Sequence, residues 1–397
     1  MNELQQNKTE NNKKRIVLVG GRVNTLDLFL NQLKQGFLEL GYEIYEFNVV
    51  EGQKRLNQFL EYINKNPVMA MIGIDTTFFG ATYTTGEYIW EALGIPCINI
   101  LVDHPCRFHS EIMLDTPSTG IVLCIDRNHM NYVNRFYPNI LFNGFLPHGG
   151  ASLSSSHKPI SERKIDVLYA GSLFKVPKEF TFSEFKFPAR QIVEHMIAYP
   201  EDPFETAVEI ELQKAGVILT DEKLRMFNSQ VVGLEDFANS YYREKILGSI
   251  AKAGISMEIY GNGWPECDWI NLPNVYYGGM IEPEEILLKM EDTKIVLNTM
   301  HWFKDGSHER VFNAMMCGAV AVSETSRYLE EVLPNDTWVS FDLSQESLSE
   351  LPKRIQDLLN DESAMQKIAS AGHDLAVREH SWKVRALELH EDLLMHL

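Results

Sequence analysis

The chain has 397 residues, 45% of them hydrophobic and 23% charged, the balance of a folded globular protein rather than a disordered one. This length predicts two or three domains, each able to bury a core, and no run approaches the roughly 18 apolar residues of a membrane-spanning helix. A net charge of −19 excludes nucleic acid and anionic lipid as partners unless a compact basic patch offsets it, and the only basic cluster is Lys13, Lys14 and Arg15.

Residues 1–14 are polar, lack the apolar stretch of a secretory signal and read as a flexible tail. From residue 15 to 150 short apolar runs alternate with helical patterns. IVLV (from Ile16) reads as a strand ending at Gly20-Gly21. Asn24 or Thr25 could cap the next helix, whose apolar positions include Leu26, Leu30, Leu33 and Phe37 and which stops at Gly41. EIYEF is a strand, RLNQFLEYI a helix, VMAMIGI a buried strand, and Tyr88 to Leu93 a short helix. CINILV, IVLCI and NILFN are further strands. Continuous apolar strands separated by helices predict a parallel sheet covered on both faces, whose ligands sit at the carboxyl ends of the strands.

Residues 150–164 are Ser-rich and read as a linker. A second alternation, residues 165–375, begins with IDVLYAG. It is interrupted by a helical insertion at about 180–235, then resumes with MEIYG, NVYYGG, KIVLNT, AVAVSE and TWVSF as strands. Residues 376–397 form a closing helix with too few basic side chains for a lipid surface. The pattern therefore predicts two doubly wound α/β domains facing a cleft, with a helical insertion in the second.

Five cysteines, odd in number and widely spaced, read as reduced thiols and imply a cytoplasmic protein. His104, Cys106 and His109 lie close together in HPCRFH, but no second pair completes a four-ligand set, so no metal site is expected.

Glycine turns follow four of the strands: Gly20-Gly21, Gly171-Ser172, Gly261-Asn262-Gly263 and Gly278-Gly279. Such turns let a ligand approach the backbone and offer N–H groups to its oxygens. No dinucleotide-binding GxGxxG and no Walker loop occurs, which argues against a nicotinamide dehydrogenase or a P-loop enzyme. The richest stretch runs from Ile295 to Glu324. A strand ends near Thr299, and KDGSHER leads into a helix that closes at Cys317-Gly318. Asp305 and Ser307 are candidate caps of that helix. Gly306, Ser307 and His308 would present N–H groups to an anion, and Arg310, one turn in, could add a charge-assisted bond to phosphate.

This stretch resembles the donor-binding core of GT-B glycosyltransferases: an acidic residue, a Gly loop, a second acidic position eight residues on, then Ala-Met-x-Cys-Gly. Asp305-Gly306 opens the motif and Asn313-Ala314-Met315-Met316-Cys317-Gly318 completes it. DVLYAGS, YREKIL, MEIYGNGW, KIVLNT and EHSWKVRA are similar to the spore maturation protein CgeB-like branch. The resemblance spans roughly residues 165–397, and more loosely VDHP in the first half. It implies two Rossmann-like domains in the GT-B arrangement, with the last helix crossing back to the first domain.

The resemblance also implies a glycosyltransferase of the hexosyl type that uses a nucleotide-sugar, a UDP-sugar first among donors, without a metal ion. Gly306, Ser307 and His308 would hold the donor diphosphate, Asn313 would contact the ribose or phosphate region, and Asp305 would lie near the transferred sugar. Gly261 and Gly263 would line the nucleotide side, with Tyr277 and Gly278 near the base. The sequence departs from the family by Asn313 in place of Glu and by Asp305, one carbon shorter than the usual Glu.

Inverting transfer needs a base for the acceptor hydroxyl. Asp103, after CINILV, is the first candidate and His104 the second, with His129, His148, His301 and His308 behind them. Trp264, Trp269 and Trp302 could stack on sugar rings or simply pack. The acceptor could be a polysaccharide, a protein or a small molecule. Rival readings are a sugar-nucleotide epimerase of the same fold and a degenerate binding or assembly subunit.

Overall fold

A computed structural model describes residues 14–114, 116–174 and 188–397 of the chain. Lys13, the rest of the expected tail up to it, and the first residues of the expected helical insertion lie outside that range. The described chain divides into two compact units, residues 1–149 with 382–397, and Gly150–Ser381.

The first unit holds six parallel strands: β1 (Arg15–Gly20), β2 (Glu43–Asn48), β3 (Ala70–Ile74), β4 (Cys97–Leu101), β5 (Gly120–Cys124) and β6 (Phe142–Phe145). Their order is β2-β1-β3-β4-β5-β6. The chain leaves β1 toward β2 and returns on the other side as β3, so the order reverses between β1 and β3. Strands β3, β4 and β5 are buried along their whole length, which explains their unbroken apolar sequences.

Helices α1 (Asn24–Glu39), α2 (Gly52–Lys65), α3 (Ile89–Ala92), α4 (His109–Leu114) and α5 (Arg127–Phe136) cover this sheet. α1 begins one residue too early for the expected cap. Asn24 is already inside the helix, and Val23 at the cap position makes no side-chain bond. Asp27, in the first turn, instead reaches back to the Gly21 N–H at 2.7 Å.

The second unit repeats the plan with β7 (Ile165–Ala170), β8 (Met257–Tyr260), β9 (Val275–Gly279), β10 (Thr293–Asn298), β11 (Val320–Glu324) and β12 (Val339–Phe341). The order is β12-β11-β10-β7-β8-β9, again all parallel, with the reversal between β7 and β10. Between β7 and β8 come α6 (Ala189–Ala198), α7 (Phe204–Lys214), α8 (Asp221–Val231) and α9 (Leu234–Lys252). The helical run therefore continues to Lys252, beyond the end read from sequence. α10 (Pro283–Glu291), α11 (Glu309–Met316), α12 (Arg327–Val332), α13 (Gln345–Leu359) and α14 (Glu362–Glu379) complete the unit. Trp264 and Trp269 belong to its buried core, which settles them as packing residues.

The closing helix α15 (Trp382–Glu388) packs with the first unit. Trp382 stacks on Phe29 with ring centroids 5.0 Å apart, Tyr42 Oη meets His390 Nδ1 at 2.8 Å, and Arg385 Nε donates to the His148 carbonyl. Gly36 of α1 makes the approach possible, because a Cβ there would lie 2.6 Å from that of Ala386.

Candidate functional site

In the second unit the loops after β7 and β10 meet at the point where strand order reverses. Arg243, on the buried face of α9, joins them: its Nη1 donates to the Ser172 carbonyl at 2.5 Å and its Nε to Thr299 Oγ1 at 3.4 Å. Its guanidinium lies 5.1 Å over the Trp302 ring. Arg310, in the first turn of α11, donates to Asn298 Oδ1 at 2.5 Å and stands 5.3 Å over the Tyr169 ring. The Tyr169 hydroxyl bonds Thr299 Oγ1 at 3.0 Å.

Both guanidiniums are more than nine-tenths buried, and among the described residues neither has a carboxylate partner. Burial depresses the proton affinity of Arg310, and the Arg243 charge adds to the effect. Two buried cations without counter-ions are costly unless an anion joins them. Glu324, at the end of β11, spends one oxygen on the Met300 N–H. Burial raises its pKa to about 6 against the pull of Lys304 and Arg243.

His308 occupies the cap position of α11, not Asp305 or Ser307 as expected. Its Nδ1 is 2.6 Å from Glu309 Oε2 and 3.3 Å from the Arg310 N–H. The shorter contact assigns the proton to Nδ1, leaving Nε2 to accept from Arg310 Nη2 at 3.1 Å. Burial and the Arg310 charge lower its pKa, so the ring stays neutral and orients the guanidinium. Ser307 is fully buried, and among the described residues its hydroxyl has no partner, an orphaned donor beside the helix start. Gly306 gives its carbonyl to Ser326 Oγ at 2.6 Å, and Asp305 is buried with Arg327 3.6 Å away.

Other expected residues serve the loops themselves. Gly171, Gly261 and Gly263 let the turns after β7 and β8 interlock. Gly263 has φ +88°, and a Cβ on it would sit 1.9 Å from the Leu173 carbonyl oxygen. Leu173 N–H bonds the Asn262 carbonyl, and Trp264 Nε1 the Gly171 carbonyl. Tyr277 donates to the Gly261 carbonyl at 3.0 Å, and Gly278 leaves room for the Tyr260 ring. Asn313 is buried and its Oδ1 accepts from the Ala151 N–H at 2.8 Å, which ties α11 to the linker.

In the first unit Gly20 and Gly21 face a carboxylate: Asp27 already holds the Gly21 N–H, so this turn is no phosphate cradle. Asp103 follows β4 and is partly buried. His104 is a cap, its Nδ1 accepting from the Cys106 N–H at 3.2 Å, and it packs against His129 and Tyr132. Burial drives its pKa down to about 3, chemistry unsuited to a base. Cys106 is buried and His109 Nδ1 bonds the Tyr137 hydroxyl. Among the described residues no group of three or more His, Cys, Asp or Glu could hold a metal ion.

Asp75, at the end of β3, escaped the sequence reading. It opens a turn in which Asp75, Thr76 and Phe78 all have positive φ, of 48°, 61° and 62°. Three non-glycine residues in that region mark a strained segment held by its surroundings. Asn99 Oδ1 takes the Thr76 N–H at 2.9 Å, Arg22 Nη1 donates to the Asp75 carbonyl at 2.6 Å, and Asp75 Oδ1 accepts from Val102. Burial, then the Asp103 charge, raises the Asp75 pKa to about 7. Two carboxylates, Asp75 after β3 and Asp103 after β4, thus stand close to the strand-order reversal of this sheet.

Residues 243–391 match a family model described as glycosyl transferase-like. No curated protein matches the chain. Among solved structures, a glycosyltransferase from Rickettsia africae has 9% identity and a TM-score of 0.54, with 97% of this chain and 100% of that one covered. Sucrose-phosphate synthase from Thermosynechococcus elongatus has 12% identity and a TM-score of 0.53, at the same coverage. The Anabaena protein HepE, solved in complex with UDP, has 11% identity and a TM-score of 0.53, with 97% and 100% covered. These likenesses establish the fold, two Rossmann-like domains of the GT-B type.

Proposed function

We propose that this chain, which carries a glycosyl transferase-like segment on the GT-B fold, transfers a sugar from a UDP-sugar to an acceptor hydroxyl. The observation that carries the reading is the pair of buried guanidiniums, Arg243 and Arg310, without carboxylate partners at the strand-order reversal of the second unit. A diphosphate supplies the missing negative charge, and the UDP complex of the structurally similar HepE supports uridine as the base.

In transfer, the bond from the anomeric carbon to the β-phosphate oxygen breaks as the acceptor oxygen bonds that carbon. The charge that develops on the leaving diphosphate falls on Arg310 and Arg243, with neutral His308 holding Arg310 in place. Fixed guanidiniums perform the neutralisation for which other transferases recruit a divalent cation, so the reaction proceeds without one. The first unit holds the acceptor, and Asp103 takes the hydroxyl proton. Asp75 is the neighbouring carboxyl, its proton affinity raised by burial and by the Asp103 charge.

The motifs DVLYAGS, MEIYGNGW and EHSWKVRA support placement in the CgeB-like branch. Five buried, unbridged cysteines support a reducing, cytoplasmic setting.

The test is release of UDP from a panel of UDP-hexoses, with and without saccharide acceptors and with EDTA present. Acceptor-dependent release that EDTA leaves intact supports the proposal. Interconversion of UDP-sugars without an acceptor points to an epimerase, and no turnover with any donor removes the transferase reading.

A further inference from the structure

The first unit contains a cavity of about 350 Å³ at the carboxyl ends of β1 and β2, between α1 and α2. Its floor is the Gly20-Gly21 turn. A Cβ on Gly21 would lie 2.0 Å from Asn48 Oδ1, and one on Gly20 would lie 2.4 Å from Asp27 Oδ1, so glycine is what lets these two polar side chains close onto the turn. The apolar wall comes from Leu18, Leu30 and Phe47.

The polar lining has unspent capacity of a particular kind. Asp27 commits one carboxylate oxygen to the Gly21 N–H and Glu46 one to Lys34, and among the described residues the second oxygen of each has no hydrogen-bond partner. Asn48 Oδ1 accepts from the Val50 N–H, which leaves its amide NH₂ to donate. Among the described residues the Asn31 amide, on the cavity lining, has no hydrogen-bond partner, and it can both donate and accept. Arg55 is paired with Glu51 at 2.8 Å. With Asp27, Glu46 and Glu51 against Arg55, the lining carries a net negative charge.

A ligand bearing phosphate would face two carboxylates with spare lone pairs, whereas hydroxyl groups, each donor and acceptor at once, match oxygens and amides alike. A sugar ring with a protonated amine gains a further charge-assisted bond.

We infer that this cavity binds one unphosphorylated hexose unit of the acceptor, with an amino-hexose preferred over its neutral counterpart. The inference rests on the sugar-transfer reading for its role but not for its chemistry. The cavity lies one strand from Asp75 and two from Asp103, roughly 5 and 10 Å at ordinary strand spacing, so the hexose held here is an anchoring unit of the acceptor and not the ring whose hydroxyl Asp103 deprotonates; Arg22 runs from the glycine turn to the Asp75 carbonyl.

The experiment is saturation-transfer NMR on the full chain with glucose, glucosamine and glucose 6-phosphate, without nucleotide, and calorimetry with UDP in parallel. Glucosamine and glucose should bind, glucosamine at least threefold tighter, and glucose 6-phosphate at least tenfold weaker than glucose. Asn31→Phe, an exposed position on α1 whose new ring fills the cavity mouth, should weaken both sugars at least fivefold and leave UDP affinity within twofold. Absence of sugar binding, glucose 6-phosphate binding as well as glucose, or an unaffected Asn31→Phe variant each overturns the inference. Loss of UDP binding in the parent chain refutes the donor reading instead, and sugar binding then stands by itself.

Discussion

Replacing Arg310 by Met separates a phosphate-binding guanidinium from a structural one. Hydrogen bonds to charged groups contribute about 1.5–3 kcal/mol, which corresponds to UDP binding weakened by about 10- to 150-fold. On the side of the free protein two effects oppose. Asn298 Oδ1 loses its donor at 2.5 Å, a loss of about 1–3 kcal/mol for a buried acceptor. Against this, a buried cation disappears from beside Arg243, and the side chain retains its contact with the Tyr169 ring. We expect these to offset one another, so that the melting temperature moves by no more than about 4 °C. Calorimetric titration with UDP, beside a thermal melt of each protein, reads both quantities. An Arg310→Met variant that melts like the parent and binds UDP within twofold of it would refute the assignment of Arg310 to the donor. A variant that loses most of its stability would show that the guanidinium belongs to the core.

Further expectations follow from particular contacts. Asp75→Asn keeps the acceptor for the Val102 N–H and removes a carboxyl whose pKa rises from 3.8 to about 7, a difference of about 4 kcal/mol at most. Because the folded value is the higher one, the contribution of Asp75 to stability is complete below pH 4 and is lost as pH rises to 7. The melting-temperature gain of Asp75→Asn over the parent should therefore grow from pH 5 to pH 8, and a gain independent of pH contradicts the assignment. Gly263→Ala forces a Cβ against the Leu173 carbonyl at φ +88° and should cost more than about 1 kcal/mol in urea denaturation. Asn313→Ala strands the buried Ala151 N–H, costing about 1–3 kcal/mol, while UDP affinity changes less than threefold; a large affinity loss at unchanged stability would return Asn313 to the donor site.

The buried central strands were legible because each is an apolar run closed by a polar or glycine-rich turn, whereas the edge strand β6 (Phe142–Phe145), half-exposed and carrying only FNGF, was read three residues too early as NILFN. The Ile295–Glu324 stretch pointed to the right corner of the second sheet, since Arg310 and His308 follow a strand directly. Arg243 lay within the YREKIL motif, but its role at the site was not legible. It comes from a helix 56 residues before Thr299, and one arginine on a helix gives no sign of its direction until the fold buries it. Asp75 was equally silent, because its chemistry comes from burial and from backbone strain. The glycines were overread: what looked like four ligand cradles includes one turn closed by Asp27 and two interlocked by backbone contacts. Side chains that answer local backbone groups, such as Asn313 on Ala151, look from sequence the same as those that await a ligand.

The most direct measurement is calorimetry of the whole chain with UDP and with uridine at one ionic strength. If Arg243 and Arg310 receive a diphosphate, UDP binds at least 100-fold tighter than uridine, from about 3 kcal/mol of charged hydrogen bonding. Equal affinity for the two, or no binding of either, would contradict the donor site at its centre.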